Sequence, residues 1–204
     1  MHDTFNKYIP HVKVIEKGIL DSYAPSEINA FKPKSDQTLV TRLRDGTEVQ
    51  LDKAFVDEEV KKLITSCQNE NFDAILIACT GKFELYESTK PILYPDYLVS
   101  QCIKGLFRKK KIGVVIPLID QRTAISSKWE EAEIPSIIDA CSPYQTNLSA
   151  FQEIAERMDR LPVHGIVLDC MGYDDRMKAQ MSQYTTKPIL LSRNLVFAAL
   201  AELF

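Results

Sequence analysis

Ile75-Leu76-Ile77-Ala78-Cys79-Thr80-Gly81 and Ile166-Val167-Leu168-Asp169-Cys170-Met171-Gly172 are two versions of one stretch. In register, each has three aliphatic residues, one small or acidic residue, a cysteine, one free position and a glycine. Apolar runs of this kind, rich in Ile and Val and ended by glycine, fit parallel strands covered by helices on both faces. In open α/β sheets the ligand crevice lies just beyond the carboxyl ends of such strands, where each cysteine falls. The repeat therefore predicts two half-sites, each offering one thiol.

Outward from the repeat, strands and helices alternate, the pattern of a parallel α/β sheet. A short strand is expected at 12–16 before Gly18, and helix fragments and loop at 19–37. A hairpin is expected over 38–51, because Asp45-Gly46 separates two alternating, β-branched arms. Its simplest role is a structural flap. A helix at 54–70 leads to the first repeat strand at 73–79, and a helix at 96–109, carrying Cys102, links the halves. Then follow a strand at 111–118 ended by Pro117, an amphipathic segment through Trp129 and a strand at 136–141. A helix at 147–161, the second repeat strand at 165–170, a helix at 174–183, a strand at 188–191 and a helix at 194–204 complete the chain. Residues 1–94 with 188–204 are assigned to a first α/β domain, and 95–187 to a second.

The chain has 204 residues and a net charge of −3, and nothing in it suggests a nucleic-acid partner. Its basic run, Arg108-Lys109-Lys110-Lys111, closes an expected helix, where cations suit the exposed carbonyls. No apolar stretch approaches the roughly 20 residues of a membrane helix, and the polar N-terminus does not read as a signal peptide. Five cysteines without metal-type spacing point to free thiols in a reducing cytoplasm. His11 and His164 flank no carboxylate cluster, so no metal site is expected. The absence of G-x-G-x-x-G and P-loop patterns argues against dinucleotide and ATP cofactors.

Met alone, a cysteine at a strand end is a small buried hydrophobe. Here two recur at the same place in a repeat. Asp169 sits beside the second, where a carboxylate is costly unless paired or near solvent. Glycine after each cysteine lets the backbone approach a ligand, and helix N-termini beyond such turns offer N–H groups that lower a thiol's pKa. Two thiols across a cleft suit proton transfer at a carbon α to a carboxylate: one removes the proton, the other returns one on the opposite face. Ser142 and Tyr144, at another strand end, are candidate ligand contacts. Tyr173 is a candidate donor to a substrate carboxylate. Cys67, Cys141 and Trp129 read as packing.

Leu43-Arg44-Asp45-Gly46-Thr47, Ala78-Cys79-Thr80-Gly81, Ser142-Pro143-Tyr144 and Asp169-Cys170-Met171-Gly172-Tyr173 together resemble the AroM family, which is similar to the aspartate/glutamate racemase superfamily with hydantoin racemase, maleate isomerase and arylmalonate decarboxylase. The resemblance spans nearly the whole chain. It implies two pseudo-symmetric, flavodoxin-like parallel-sheet domains with the active site between them. Cys79 and Cys170 match the paired catalytic cysteines, and Thr80 and Gly81 the carboxylate-binding turn. Met171 replaces a polar residue usual in the racemases, so binding at Met171 and Gly172 falls to backbone. The family usually opens with a glycine-containing strand, and this chain starts where the following helix belongs; an N-terminal strand is therefore expected to be missing. Dimers are common among superfamily relatives, and a homodimer is expected.

These readings converge on a cofactor-independent, two-cysteine racemase or isomerase of a small carboxylic or amino acid. A single-cysteine isomerase or decarboxylase, and a non-catalytic small-acid binding protein, remain the alternatives.

Overall fold

The computed structural model describes residues 1–33, 38–144 and 149–204. The chain opens with α1 (His2–Tyr8) and a short α2 (Pro25–Ile28). The hairpin follows as β1 (Thr38–Arg42) and β2 (Glu48–Asp52), paired antiparallel. Gly46 takes φ +94°, the left-handed conformation that the Asp-Gly turn requires. Asp52 then caps α3 (Lys53–Cys67), its carboxylate accepting from the Ala54 and Phe55 amides at 3.0 and 3.4 Å. Strands β3 (Ile75–Leu76) and β4 (Ile92–Leu93) form a small parallel pair, and α4 (Pro95–Phe107) starts at a proline suited to a helix's first turn.

The second half alternates regularly: β5 (Ile112–Ile116), α5 (Arg122–Glu131), β6 (Ser136–Ala140), α6 (Ser149–Arg160), β7 (Ile166–Leu168), α7 (Asp175–Met181), β8 (Ile189–Leu191) and α8 (Ser192–Ala201). Its four strands make one parallel sheet in the order β6-β5-β7-β8. Every residue of β5 is buried, as a strand covered on both faces must be. Ile112, Val114, Ile116 and Val167 pack with Val99, Ile103, Trp129 and Phe197. On the other face Val115, Ile166 and Leu168 meet Phe151, Ile154, Met158, Met177 and Met181 from α6 and α7. A third cluster, around Leu51, Val56, Ile64, Ile77 and Phe83, ties the hairpin and α3 to the first repeat strand.

The α/β class and the parallel pairing at both repeat stretches agree with the sequence reading. Three details differ. Val12–Glu16 forms no strand: Val14 and Ile15 are exposed, and among the described residues no neighbouring strand accepts their ladder. The repeat strands are shorter than 73–79 and 165–170, because the chain turns away to place the cysteines. Residues 188–204 are expected with the first half, yet β8 hydrogen-bonds along β7 and extends the four-stranded sheet. Its apolar run has β7 as an open partner, whereas β3 pairs with β4. Positions 147 and 148 of the expected 147–161 helix, and 34–37 of the expected 19–37 segment, lie outside the described residues. No helix among the described residues is long and apolar enough to cross a membrane.

Gly165 precedes β7 where the backbone runs close to its surroundings. A Cβ there would stand 2.4 Å from Phe107 Cζ and 3.3 Å from the Pro188 carbonyl oxygen. Gly165→Ala is therefore expected to cost about 1–3 kcal/mol, the range for overpacking a close-packed site, read as a lowered urea midpoint.

Candidate active site

The two cysteine turns come together on the carboxyl side of the repeat strands, and each is built the same way. The Gly81 amide donates to Cys79 Sγ at 3.4 Å, and the Gly172 amide donates to Cys170 Sγ at 3.3 Å. Both thiols are partly buried and free, and they lie within electrostatic reach of one another. Burial pushes both thiols up, Cys170 to about 12. The glycine amides pull the other way, and at Cys79 so do Lys128 and Lys53.

The other predicted residues divide between site and core. Thr80 is buried; its hydroxyl donates to the Asp169 carbonyl at 3.2 Å, joining the first turn to the second. Tyr144 lies with its hydroxyl beside Cys170, held off the normal range upward by burial. Gly172 makes room for it, since a Cβ there would sit 2.9 Å from Tyr144 Oη and 2.7 Å from Pro143 Cγ. Ser142 is buried beneath, donating to the Glu48 carboxylate of β2 and accepting from the Tyr144 amide at 3.2 Å. The hairpin thus reaches the second half through Glu48, while Arg42 bonds the Gly46 carbonyl and Arg44 pairs with Asp21. Tyr173 departs from its expected role as a ligand donor. It is fully buried, its ring edge-on to Phe151, and its hydroxyl donates to the Cys141 carbonyl at 2.8 Å. Met171 buries its side chain in the core, and its carbonyl accepts from Arg193 Nε at 2.7 Å.

Sequence reasoning passed over Lys128. Its ammonium, with the side chain 7 % exposed, donates to the Thr80 carbonyl at 3.1 Å and to both Asp169 carboxylate oxygens at 2.9 and 2.7 Å. Trp129, expected to be packing alone, also donates its Nε1–H to Asp169 at 3.1 Å. The costly carboxylate in an apolar strand end was the available signal: Asp169 had to have a partner. Which cation supplies it was not written locally. Arg193, nearly buried at the start of α8, was likewise unseen.

The thiol shifts carry a sign for stability. Cys170 titrates near 9 when unfolded and near 12 when folded, so between those values the unfolded chain has lost a proton that the folded chain keeps. Stability is expected to fall as pH rises from about 9 to 12, and Cys170→Ala to flatten that slope in urea melts at stepped pH.

Three solved structures share this architecture at identities too low to carry more than fold. Glutamate racemase from Aquifex pyrophilus matches with a TM-score of 0.56 and 15 % identity over 75 % of this chain and 68 % of that one. Unliganded arylmalonate decarboxylase gives 0.60 and 10 % over 97 % and 84 %, and maleate isomerase Iso from Pseudomonas putida S16 gives 0.57 and 14 % over 74 % of each. No curated protein matches the sequence. The motifs quoted from the sequence, the paired turns and this shared fold agree with a match to the AroM protein family over residues 1–204, and the chain belongs to that family.

Proposed function

We propose that the protein is a cofactor-independent racemase or isomerase that moves a proton at the α-carbon of a small carboxylic or amino acid, with Cys79 and Cys170 as the paired acid and base. The observation that carries this reading is the mirrored pair of turns, each presenting a thiol that accepts the amide of the glycine two residues on. A thiolate on one side takes the α-proton, and the thiol opposite delivers one to the other face. Negative charge building on the substrate carboxylate needs preorganised donors. The amides of the two turns, the Tyr144 hydroxyl and the Arg193 guanidinium are the groups at hand. Thr80 acts by holding the first turn against Asp169.

A single-cysteine isomerase or decarboxylase is the second reading, favoured by the difference in surroundings between the thiols: Tyr144 lies against Cys170, and Lys53 and Lys128 stand near Cys79. Solvent exchange separates the readings. Incubation in D2O with a panel of amino acids, hydroxy acids and dicarboxylates, followed by proton NMR, should show loss of the α-proton signal for one chemical class with inversion of the centre. Release of CO2 without inversion would move the assignment to a decarboxylase; reversible binding without exchange would make the protein a small-acid receptor.

A further inference from the structure

Lys128 belongs to neither cysteine turn, yet it touches both. Its ammonium bonds the carbonyl of Thr80, the residue after Cys79, and the carboxylate of Asp169, the residue before Cys170. The pair is almost wholly out of water, with side-chain exposures of 7 and 0 %. Buried pairs of this kind add little stability over apolar residues of equal volume, so stability alone is a weak reason for one here. The pair also has a direction. Its cationic end rests on the first turn, and its anionic end is built into the second.

We propose that Lys128 is a positioning residue that clamps the two cysteine turns together and makes Cys79, not Cys170, the thiol that ionises first; the inference rests on the two-cysteine reading above. The groups facing Cys79 are Lys128 from α5, Lys53 from α3, Asp169 from the end of β7, and Tyr144 and Cys170 across the site. Those facing Cys170 are Asp169, Cys79, Tyr144 and Arg193, whose Nε is engaged by the Met171 carbonyl. Asp169 opposes charge on both thiols, but at Cys79 two lysines outweigh it, while at Cys170 no lysine offsets it. Ionisation releases the Cys79 proton to water. In turnover the Cys79 thiolate takes the α-proton while Cys170 S–H gives its proton to the opposite face, leaving Cys79 a thiol and Cys170 a thiolate; the reverse reaction restores the start. The enantiomer whose α-hydrogen faces Cys79 is the one the singly ionised protein processes directly.

The test needs no substrate. Alkylation by iodoacetamide, followed cysteine by cysteine through peptide mass spectrometry across pH 6–11, reports each thiolate, with exposed Cys102 as the internal reference. In the native chain Cys79 should react about tenfold faster than Cys170 at pH 8.5, with a lower midpoint. The double variant Lys128→Met/Asp169→Leu removes both charges without stranding either, and should raise the Cys79 midpoint and slow its alkylation about tenfold while circular dichroism is unchanged. Lys128→Arg keeps the cation and should keep the Cys79 midpoint. Equal native midpoints, or a Cys79 midpoint unmoved in the double variant, would overturn the proposal. Asymmetric alkylation with no α-proton exchange on any acid would instead sink the racemase reading and leave the thiolate assignment standing.

Discussion

Cys79→Ala and Cys170→Ala should each reduce racemisation by about 10²–10⁴-fold, the contribution of a positioned general acid or base, while the circular dichroism spectrum and urea midpoint stay near those of the native chain. Each thiol sits at the end of a short strand, takes one glycine amide, and lies partly buried at the edge of a core cluster. Removing either sulfur leaves the sheet and both turns in place. Both losses are needed for the two-cysteine reading, because inversion requires a group on each face of the carbanion. One inactive and one active variant would assign the chemistry to a single cysteine, with Tyr144 beside Cys170 the natural second proton carrier. Activity in both variants would remove the cysteines from the mechanism.

Lys128→Ala is expected to be the most damaging single change for stability, about 3–5 kcal/mol in urea unfolding, because it leaves the Asp169 carboxylate uncompensated in a buried site. Trp129 would remain as a donor to that carboxylate, but one neutral N–H does not replace an ammonium. Lys128→Met/Asp169→Leu should recover most of the loss, since it is the stranded charge, not the missing contact, that costs. A single variant as stable as the native chain would mean that Asp169 takes up a proton or reaches water when its partner goes.

The repeat was legible because everything that marks it is local. Apolar runs, a following glycine and strand-helix alternation are all written within about ten residues, and they specify the class and the parallel pairing at both repeat stretches. The hairpin was equally plain, since Asp45-Gly46 specifies its own turn. What stayed hidden depends on distant partners. Val12–Glu16 alternates like a strand but meets no edge to pair with, and β8 could be placed only by knowing that β7 had a free side. Helix α1 is seven residues long, too short for periodicity, and Phe5 finds Phe197 at 5.3 Å through tertiary packing. In the site, Tyr173 and Ser142 looked like ligand donors by position, yet their hydroxyls are bound to Cys141 and Glu48. Lys128 sits on a short amphipathic helix, where a lysine reads as solvated; its carboxylate is 41 positions away.

The hydrogen bond from the Thr80 hydroxyl to the Asp169 carbonyl joins residues 89 positions apart. A link of that span closes a large loop and cannot reward the chain until both turns already exist, so it belongs among the last contacts made during folding. The order reverses on mild denaturation: the seam between the turns should part while each sheet still holds its amides against hydrogen exchange. Competence for chemistry would then be the last property the chain acquires and the first it surrenders, and a newly folded molecule would pass through a native-looking but inert stage before the seam shuts.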